Sequence, residues 1–237
     1  DTPVQTVDLN GNPTSAPQFQ CNLILNRRRS AADVVRGIRN GSSLYLILSA
    51  GGLLQLKAEG TLAQQQPALP PNSNSSGAIN GGWPAYEFGD STFGGILRTP
   101  QGASSVRVYS RNSADTPNRM TVEFQDEFNE YQQDSISLVD IDDAALSGQE
   151  ITTTLTALGL PNFNQAARAI TLQLNKSIQG NTYVDFETSV KAVGLNPGDL
   201  VTLTYAREGW VRQLFRIIRI APGANFRTAR ITAQIHD

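Results

Sequence analysis

The chain has 237 residues, 17% of them charged, and a formal net charge of −2 at pH 7, with Arg rather than Lys carrying most of the positive charge. So little charge excludes a basic field able to hold a nucleic-acid backbone by counterion release, and no run of about eighteen apolar residues exists to span a membrane as a helix. A single cysteine, Cys21, excludes an internal disulfide or a cysteine-based zinc site, and a single histidine, His236, argues against Ser-His-Asp or Cys-His catalysis.

The length allows two modest domains or one large β domain, and the pattern along the chain favours two. Residues 1–17, with Pro3, Asn10, Gly11, Pro13 and Pro17, lack a sustained period and read as a polar N-terminal arm. Residues 18–25 read as a strand. Arg27, Arg28 and Arg29 then precede a helix opened by Ser30, with Asp33 three positions on and Asn40-Gly41 at its end. Three arginines without interleaved aromatics, placed where they oppose the helix dipole, are a solvated or interface face rather than a phosphate site. Ala31, Val34, Val35 and Ile38 form the apolar stripe of that helix, and two alternating runs, 44–48 and 53–58, make a hairpin around Gly51-Gly52 for the stripe to cover.

From about residue 62 to 102 the chain turns to Gln, Pro, Asn, Ser and Gly, which gives a long surface loop with little core. Trp83, Tyr86 and Phe93 are its candidate contact residues, or pin the loop onto its own domain. Val106 with Val108, then Met120, Val122 and Phe124, then Ile136 and Leu138 alternate with polar neighbours and read as three strands of the first domain's sheet, with 126–131 as a connecting loop. The domain boundary is expected near residues 140–148. The expected organisation is therefore an arm at 1–17, an α+β domain at 18–143 and a β-barrel-like domain at 144–237.

Phe163, Ala166, Ala167, Ile170 and Leu174 recur at steps of three and four, the pattern of a helix over 162–177, with Asn162 as N-cap and Gln165 reaching back in a capping box. The period then changes to two: 182–189, 200–205, 215–220 and 229–235 are short antiparallel strands. Asn196-Pro197-Gly198-Asp199 is a turn in which Pro sets φ and Gly takes positive φ. The fold class is α+β, mainly β: a helix on an antiparallel sheet, followed by a small antiparallel barrel-like domain with one packed helix.

The run 163–169 containing Gln165, Ala166 and Arg168, the strand 183–188 containing Phe186, and the run 194–203 containing Pro197, Gly198 and Asp199 resemble, as an ordered set, the tail-tip attachment (host-specificity) proteins of lambda-like siphophages and the related baseplate-hub proteins of prophages and gene transfer agents. Residues 118–124, the acidic Tyr-containing segment after them with Asp134, and the helix-hairpin at 30–58 are similar to the same family. The resemblance implies a non-enzymatic structural module that closes the tail tube and supports host-attachment parts. Its implied partners are other tail-tip and hub subunits and tail-tube proteins, in a homo-oligomer, commonly a trimer, from which this fragment in isolation would be a monomer. The implied location is the virion tail tip, or the bacterial cytoplasm for a prophage product before assembly. The chain starts with Asp1 and ends just after a strand, as expected of a piece cut from a longer polypeptide.

Two other readings stand beside this one. The aromatic loop around Trp83 and Tyr86 suits a carbohydrate- or receptor-binding module. Asp126, Glu127, Glu130, Asp185 and Glu187 supply carboxylates in number for a cell-wall hydrolase, though such chemistry needs two of them at fixed separation across a cleft. Asp140, Asp142 and Asp143 lack the glycine and the distal glutamate of an EF-hand loop and read as turn and capping carboxylates. No cofactor or metal site is expected.

Overall fold

A computed structural model describes residues 4–7, 11–17, 19–25, 28–48, 52–60, 65, 86–90, 94–192, 194–223 and 226–236. The chain forms two compact units, each built from two stretches of sequence: residues 1–46 with 112–178, and residues 47–111 with 179–237. The expected α+β, mainly β composition is what the structure has. Its partition differs from the expected split near residues 140–148, because each unit draws its core from segments distant in sequence.

In the first unit, β1 (Val4–Val7) and β2 (Pro13–Ala16) pair antiparallel, so the polar arm is a small hairpin. Residues 19–25 make no ladder, contrary to the strand expected there. Helix α1 (Ala31–Ser42) starts as anticipated: the Ser30 hydroxyl oxygen accepts from the Asp33 amide at 3.1 Å, and Ser43 in the left-handed region ends it. Its most deeply buried positions are Gly37, Gly41 and Ser42, whereas Val34, Val35 and Ile38 are half-buried and Ala31 is exposed. A Cβ on Gly37 would lie 2.5 Å from Leu158 Cγ, and one on Gly41 3.3 Å from Leu160 Cδ2. The two glycines, one turn apart, let the helix backbone press against residues 158–160, and the Leu158 amide donates to the Gly37 carbonyl at 3.0 Å.

The three-stranded sheet of this unit runs β8 (Gln132–Val139), β7 (Arg119–Asp126), β9 (Thr152–Leu155), with β7 antiparallel to β8 and parallel to β9. Between β8 and β9 lies α2 (Ile141–Ser147), capped by Asp140 and ended by Gly148 at φ 70°. This helix occupies the segment where the sequence suggests only a boundary. Helix α3 (Phe163–Ile178) lays Ala166, Ala169, Ile170 and Leu174 on Met120, Val122 and Phe124 of β7. The expected helix is therefore present with its stripe largely as read, but its sheet is β8-β7-β9 and not the C-terminal strands. Phe163, expected in the stripe, is 54% exposed and meets Phe124 edge-on at 6.4 Å between ring centroids.

In the chain between the parts of the first unit, β3 (Leu44–Leu48) and β4 (Leu54–Ala58) form the expected hairpin, and the division between units falls inside β3. The sheet of the second unit has six strands in the order β5 (Glu87–Gly89), β11 (Leu200–Tyr205), β12 (Trp210–Pro222), β13 (Ala229–Ile235), β10 (Thr182–Thr188), β6 (Arg107–Ser110). The pairs among β10, β11, β12 and β13 are antiparallel, and β5 joins β11 in parallel. Strand β6, expected in the first sheet, pairs with β10. Single bridges from Gly95 to Gly89 and from Ile96 to Thr188 link the flanks of β5 and β10, while the ladder itself stays open, so the sheet curls like a barrel without closing as one. Phe88, Val184, Phe186, Val201, Leu203, Phe215, Ile217 and Ile231 fill its concave side. Strand β5 and Ile96 thus bring core residues out of the stretch that composition marks as loop.

Gly37→Leu should cost about 3 kcal/mol, because the new side chain overpacks against Leu158, while Arg36→Leu on the exposed side of α1 should stay within about 0.5 kcal/mol; urea unfolding midpoints check both.

Candidate functional site: the buried ionic turn of the C-terminal sheet

The turn at 196–199 has the geometry its sequence suggests and does more than reverse the chain. Gly198 sits at φ 90°, a region closed to residues with a Cβ. Its amide donates to the Ile217 carbonyl at 2.7 Å, and the Ile217 amide donates to the Asp199 carbonyl at 2.8 Å, so the turn is stitched to β12. One carboxylate oxygen of Asp199 accepts from the Asn196 amide at 2.8 Å, closing the turn from within; the other accepts from the Lys57 ammonium. Pro197 is half-buried at the corner.

Arg216 of β12 lies beside the turn with only 5% of its side chain exposed, and its partner Glu59 with 9%. Arg216 Nε stands 2.8 Å from Glu59 Oε1, Nη1 donates to the Gly198 carbonyl at 2.9 Å, and Nη2 reaches the Gly60 carbonyl at 3.3 Å and His236 Nε2 at 3.2 Å. A guanidinium only donates, so Nε2 of His236 is the acceptor in that contact. Burying a charge without partners costs several kcal/mol, and here the guanidinium fork is spread over one carboxylate, two carbonyls and one imidazole. Gln65, from the polar stretch expected to be a surface loop, clamps the next residue: its Nε2 donates to the Leu200 carbonyl at 2.7 Å and its Oε1 accepts the Leu200 amide at 2.5 Å. Tyr86 packs half-buried against the same core, and burial, aided by the negative charge of Asp199, raises its phenol pKa above the ordinary value.

On the edge strand beside β11, Glu87 of β5 is buried and pairs with Arg212 at 3.4 Å, while the Lys191 ammonium donates to the Glu87 carbonyl and lies over the Phe88 ring at 5.2 Å. Burial lowers the Lys191 pKa, and Glu87 opposes that shift.

The remaining residues singled out in the sequence fall into place separately. Phe186 is a core residue packed on Phe88 at 5.1 Å between centroids. In the first unit, Ala166 is fully buried, and Arg168 is half-buried with its pKa lowered by that burial. Asn162 caps α3 as expected, its Oδ1 accepting the Gln165 amide at 3.0 Å. Gln165 does not complete a capping box: its amide group clamps Gln20, accepting that residue's N–H at 3.0 Å and donating to its carbonyl at 2.8 Å. Trp83 and Phe93 lie outside the described residues.

The candidate acids do not converge. Asp126 and Asp140 accept backbone amides at Phe128 and Asp143, Glu127 accepts from Asn162, and Asp143 accepts from Asn118. Asp185 on β10 accepts from Arg230 at 2.8 Å and from the Thr232 hydroxyl at 2.7 Å on β13. Of these acids only Glu187 lines the 340 Å³ cavity beside β10, in company with Arg98, Arg107 and Arg230. No group of three or more His, Cys, Asp or Glu placed to hold a metal occurs among the described residues.

Sequence reasoning missed Arg216, Glu59, Lys57, Gln65 and, in the first unit, Asn118. Asn118 is fully buried, donates to Asp143 at 3.1 Å, Ser147 at 3.2 Å and the Gln149 carbonyl at 3.0 Å, and accepts the Ile151 amide at 2.7 Å. The local pattern gave no signal for Arg216: Arg212, Gln213 and Arg219 also interrupt the apolar residues of β12, and alternation would place Arg216 on the face opposite Phe215 and Ile217.

Two solved structures resemble this chain in overall fold. A chain of the virion of a native gene transfer agent particle has a TM-score of 0.57 at 14% identity, over 84% of this chain and 37% of its own length. The tail protein from Neisseria meningitidis MC58 has a TM-score of 0.54 at 9% identity, over 94% of this chain and 58% of its own. This chain therefore spans less than two thirds of either. No curated protein matches it in sequence. The family described as "Putative phage tail protein" matches residues 81–220, more than half of the chain, and the chain belongs to that family.

Replacing Arg216 alone by Met should destabilise the protein by about 3–5 kcal/mol, because Glu59 is left buried and unpaired. Adding Glu59→Leu should recover most of the loss, read as a coupling energy in a double-mutant cycle of urea unfolding.

Proposed function

We propose that the chain is a structural, non-enzymatic module of a phage-type tail tip or baseplate hub, closing the tail tube and supporting host-attachment components. Membership of a phage tail protein family supports a place in the phage particle, in association with other tail components. The observation that carries the finer reading is how the buried charges are used: Asp199, Glu59 and Arg216 are all engaged in holding one turn against β12, and Asp185 is engaged across β10 and β13. Side chains arranged in this way resist deformation of a sheet. Subunits that must bear load around a tube need such rigidity, and their remaining polar faces are completed by neighbours in a symmetric ring, here taken as a trimer.

The test is placement in the particle. Tail particles assembled with an epitope-tagged parent protein should carry label at the distal tip, and deletion of its gene should leave particles without a completed tip. Label distributed along the tube, or particles that complete their tips without the protein, would overturn the tip assignment. Purified protein incubated with peptidoglycan should release no soluble muropeptide above a buffer control; measurable release would refute the non-enzymatic part.

A further inference from the structure

Successive side chains of a strand point to opposite faces. Val184 and Phe186 of β10 point into the core of the second unit, so Asp185 and Glu187 point outward. The register carries that outer face across the neighbouring strands: Arg107 of β6 lies opposite Asp185, and Arg230 of β13 lies opposite Glu187. Arg107, Glu187 and Arg230 line the 340 Å³ cavity there, joined by Arg98, Thr99 and Ser104 from the segment between β5 and β6. That segment is fixed in place. Arg98 and Ser104 are bridged, the Gly102 amide donates to the Thr99 carbonyl at 2.8 Å, and the Leu97 amide donates to the Glu187 carbonyl at 2.8 Å. Arg98 is held by the Gly102 carbonyl at 3.1 Å and by Asp90 at 3.0 Å, and Arg230 by Asp185 at 2.8 Å. A guanidinium carries five N–H donors, so both keep donors for a ligand. Arg107 and the Glu187 carboxylate make no hydrogen bond or ion pair among the described residues. Their places in the register are diagonal, about 7–8 Å apart, which leaves one free cation and one free anion on the lining of a single cavity.

We propose that this cavity binds an acidic saccharide, one or two sugar rings bearing a carboxylate. Arg107 takes the carboxylate in a forked, charge-assisted pair, and Glu187 accepts from ring hydroxyls. The spare N–H groups of Arg98 and Arg230 and the hydroxyls of Thr99 and Ser104 meet the remaining sugar oxygens. The volume lies at the small end of the roughly 300–1,000 Å³ typical of small-molecule sites, which suits a short saccharide unit. Charge selects among anions. Asp90 answers Arg98, Asp185 answers Arg230, and Glu187 offsets Arg107, so the lining has no positive excess to hold a phosphate dianion. A free amino acid would satisfy Arg107 and Glu187 but leave the hydroxyls and the donors of the other two arginines unused. A sugar acid uses all of them, and because Arg98 and Arg230 are already anchored, little ordering is needed when it binds.

Isothermal titration of the purified chain is the test, with disaccharides ending in glucuronic, galacturonic or N-acetylneuraminic acid as probes. At least one should bind, and its carboxyl-reduced counterpart should bind about tenfold more weakly or worse, the effect of losing one charge-assisted hydrogen-bonded pair. Arg107→Gln should weaken the acidic disaccharide by a similar factor and leave the reduced one unchanged. Glu187→Gln should narrow the preference for the acidic disaccharide over inorganic phosphate, because hydroxyls lose an ionised acceptor while the phosphate loses a repelling charge. Arg36→Gln, an exposed arginine of α1 in the first unit, should change nothing. Arg107 and Glu187 are exposed and carry no contact of the fold, so both variants should keep the wild-type urea midpoint. Failure of all three acidic disaccharides to bind, equal affinity for the reduced forms, or binding indifferent to Arg107→Gln would each overturn the proposal. So would inorganic phosphate or glycine binding the wild type as tightly as the best disaccharide. None of these results bears on where label appears in the particle, so the tip assignment stands or falls separately.

Discussion

The second unit depends on one constraint: a guanidinium buried beside a tight turn must be surrounded by groups that offset its charge. Arg216 sits in β12 between Phe215 and Ile217, whose side chains point to the opposite face and fill the core, so its own burial comes from the groups that cover the other face. Its neighbours therefore come to it. Glu59, the carbonyls of Gly60 and Gly198, and His236 surround it, and the Gly198 carbonyl is in position only because the 196–199 turn is closed by Asp199 and bonded to Ile217. Such a cluster need not stabilise the fold more than an apolar substitute would; its effect is that a misplaced turn leaves charges buried without partners, which is heavily penalised.

A glutamine side chain holds a backbone residue in each unit. A glutamine side chain carries one donor and one acceptor on a single amide and can pair with a backbone residue as a neighbouring strand would. Gln165 does this to Gln20, and Gln65 does it to Leu200. Asn118 plays a larger role of this kind, tying α2 to the segment leading into β9. Where no side chain mediates, glycine removes the Cβ instead: Gly37 and Gly41 let α1 approach residues 158–160 directly. In the first unit these contacts fix Gln20, α1 and the segment leading into β9.

The same arrangement bears on function. Of the acids that sequence alone leaves open as catalytic candidates, Asp126, Glu127 and Asp185 are engaged with a turn amide, the Asn162 cap residue and a cross-strand pair, and the family to which the chain belongs is one of tail proteins. A tail component is judged by what it joins.

What the amino-acid sequence determined by itself was local. The steps of three and four in 163–178, the alternation of β7, β8, β10, β11 and β13, the Ser30 and Asn162 caps and the Pro197-Gly198 corner could all be read, because each follows from periodicity or backbone sterics within a few residues. The resemblance to tail proteins was legible for a related reason, being carried by short ordered runs. Which sheet α3 would cover, that β6 would join β10, that β5 would add a parallel strand from a stretch rich in polar residues, and that Gln165 would hold Gln20 rather than its own helix start were decided only in three dimensions. An apolar stripe states that it must be buried and not against what, and a buried charge finds its partner across a hundred residues or more by geometry that no spacing along the chain encodes.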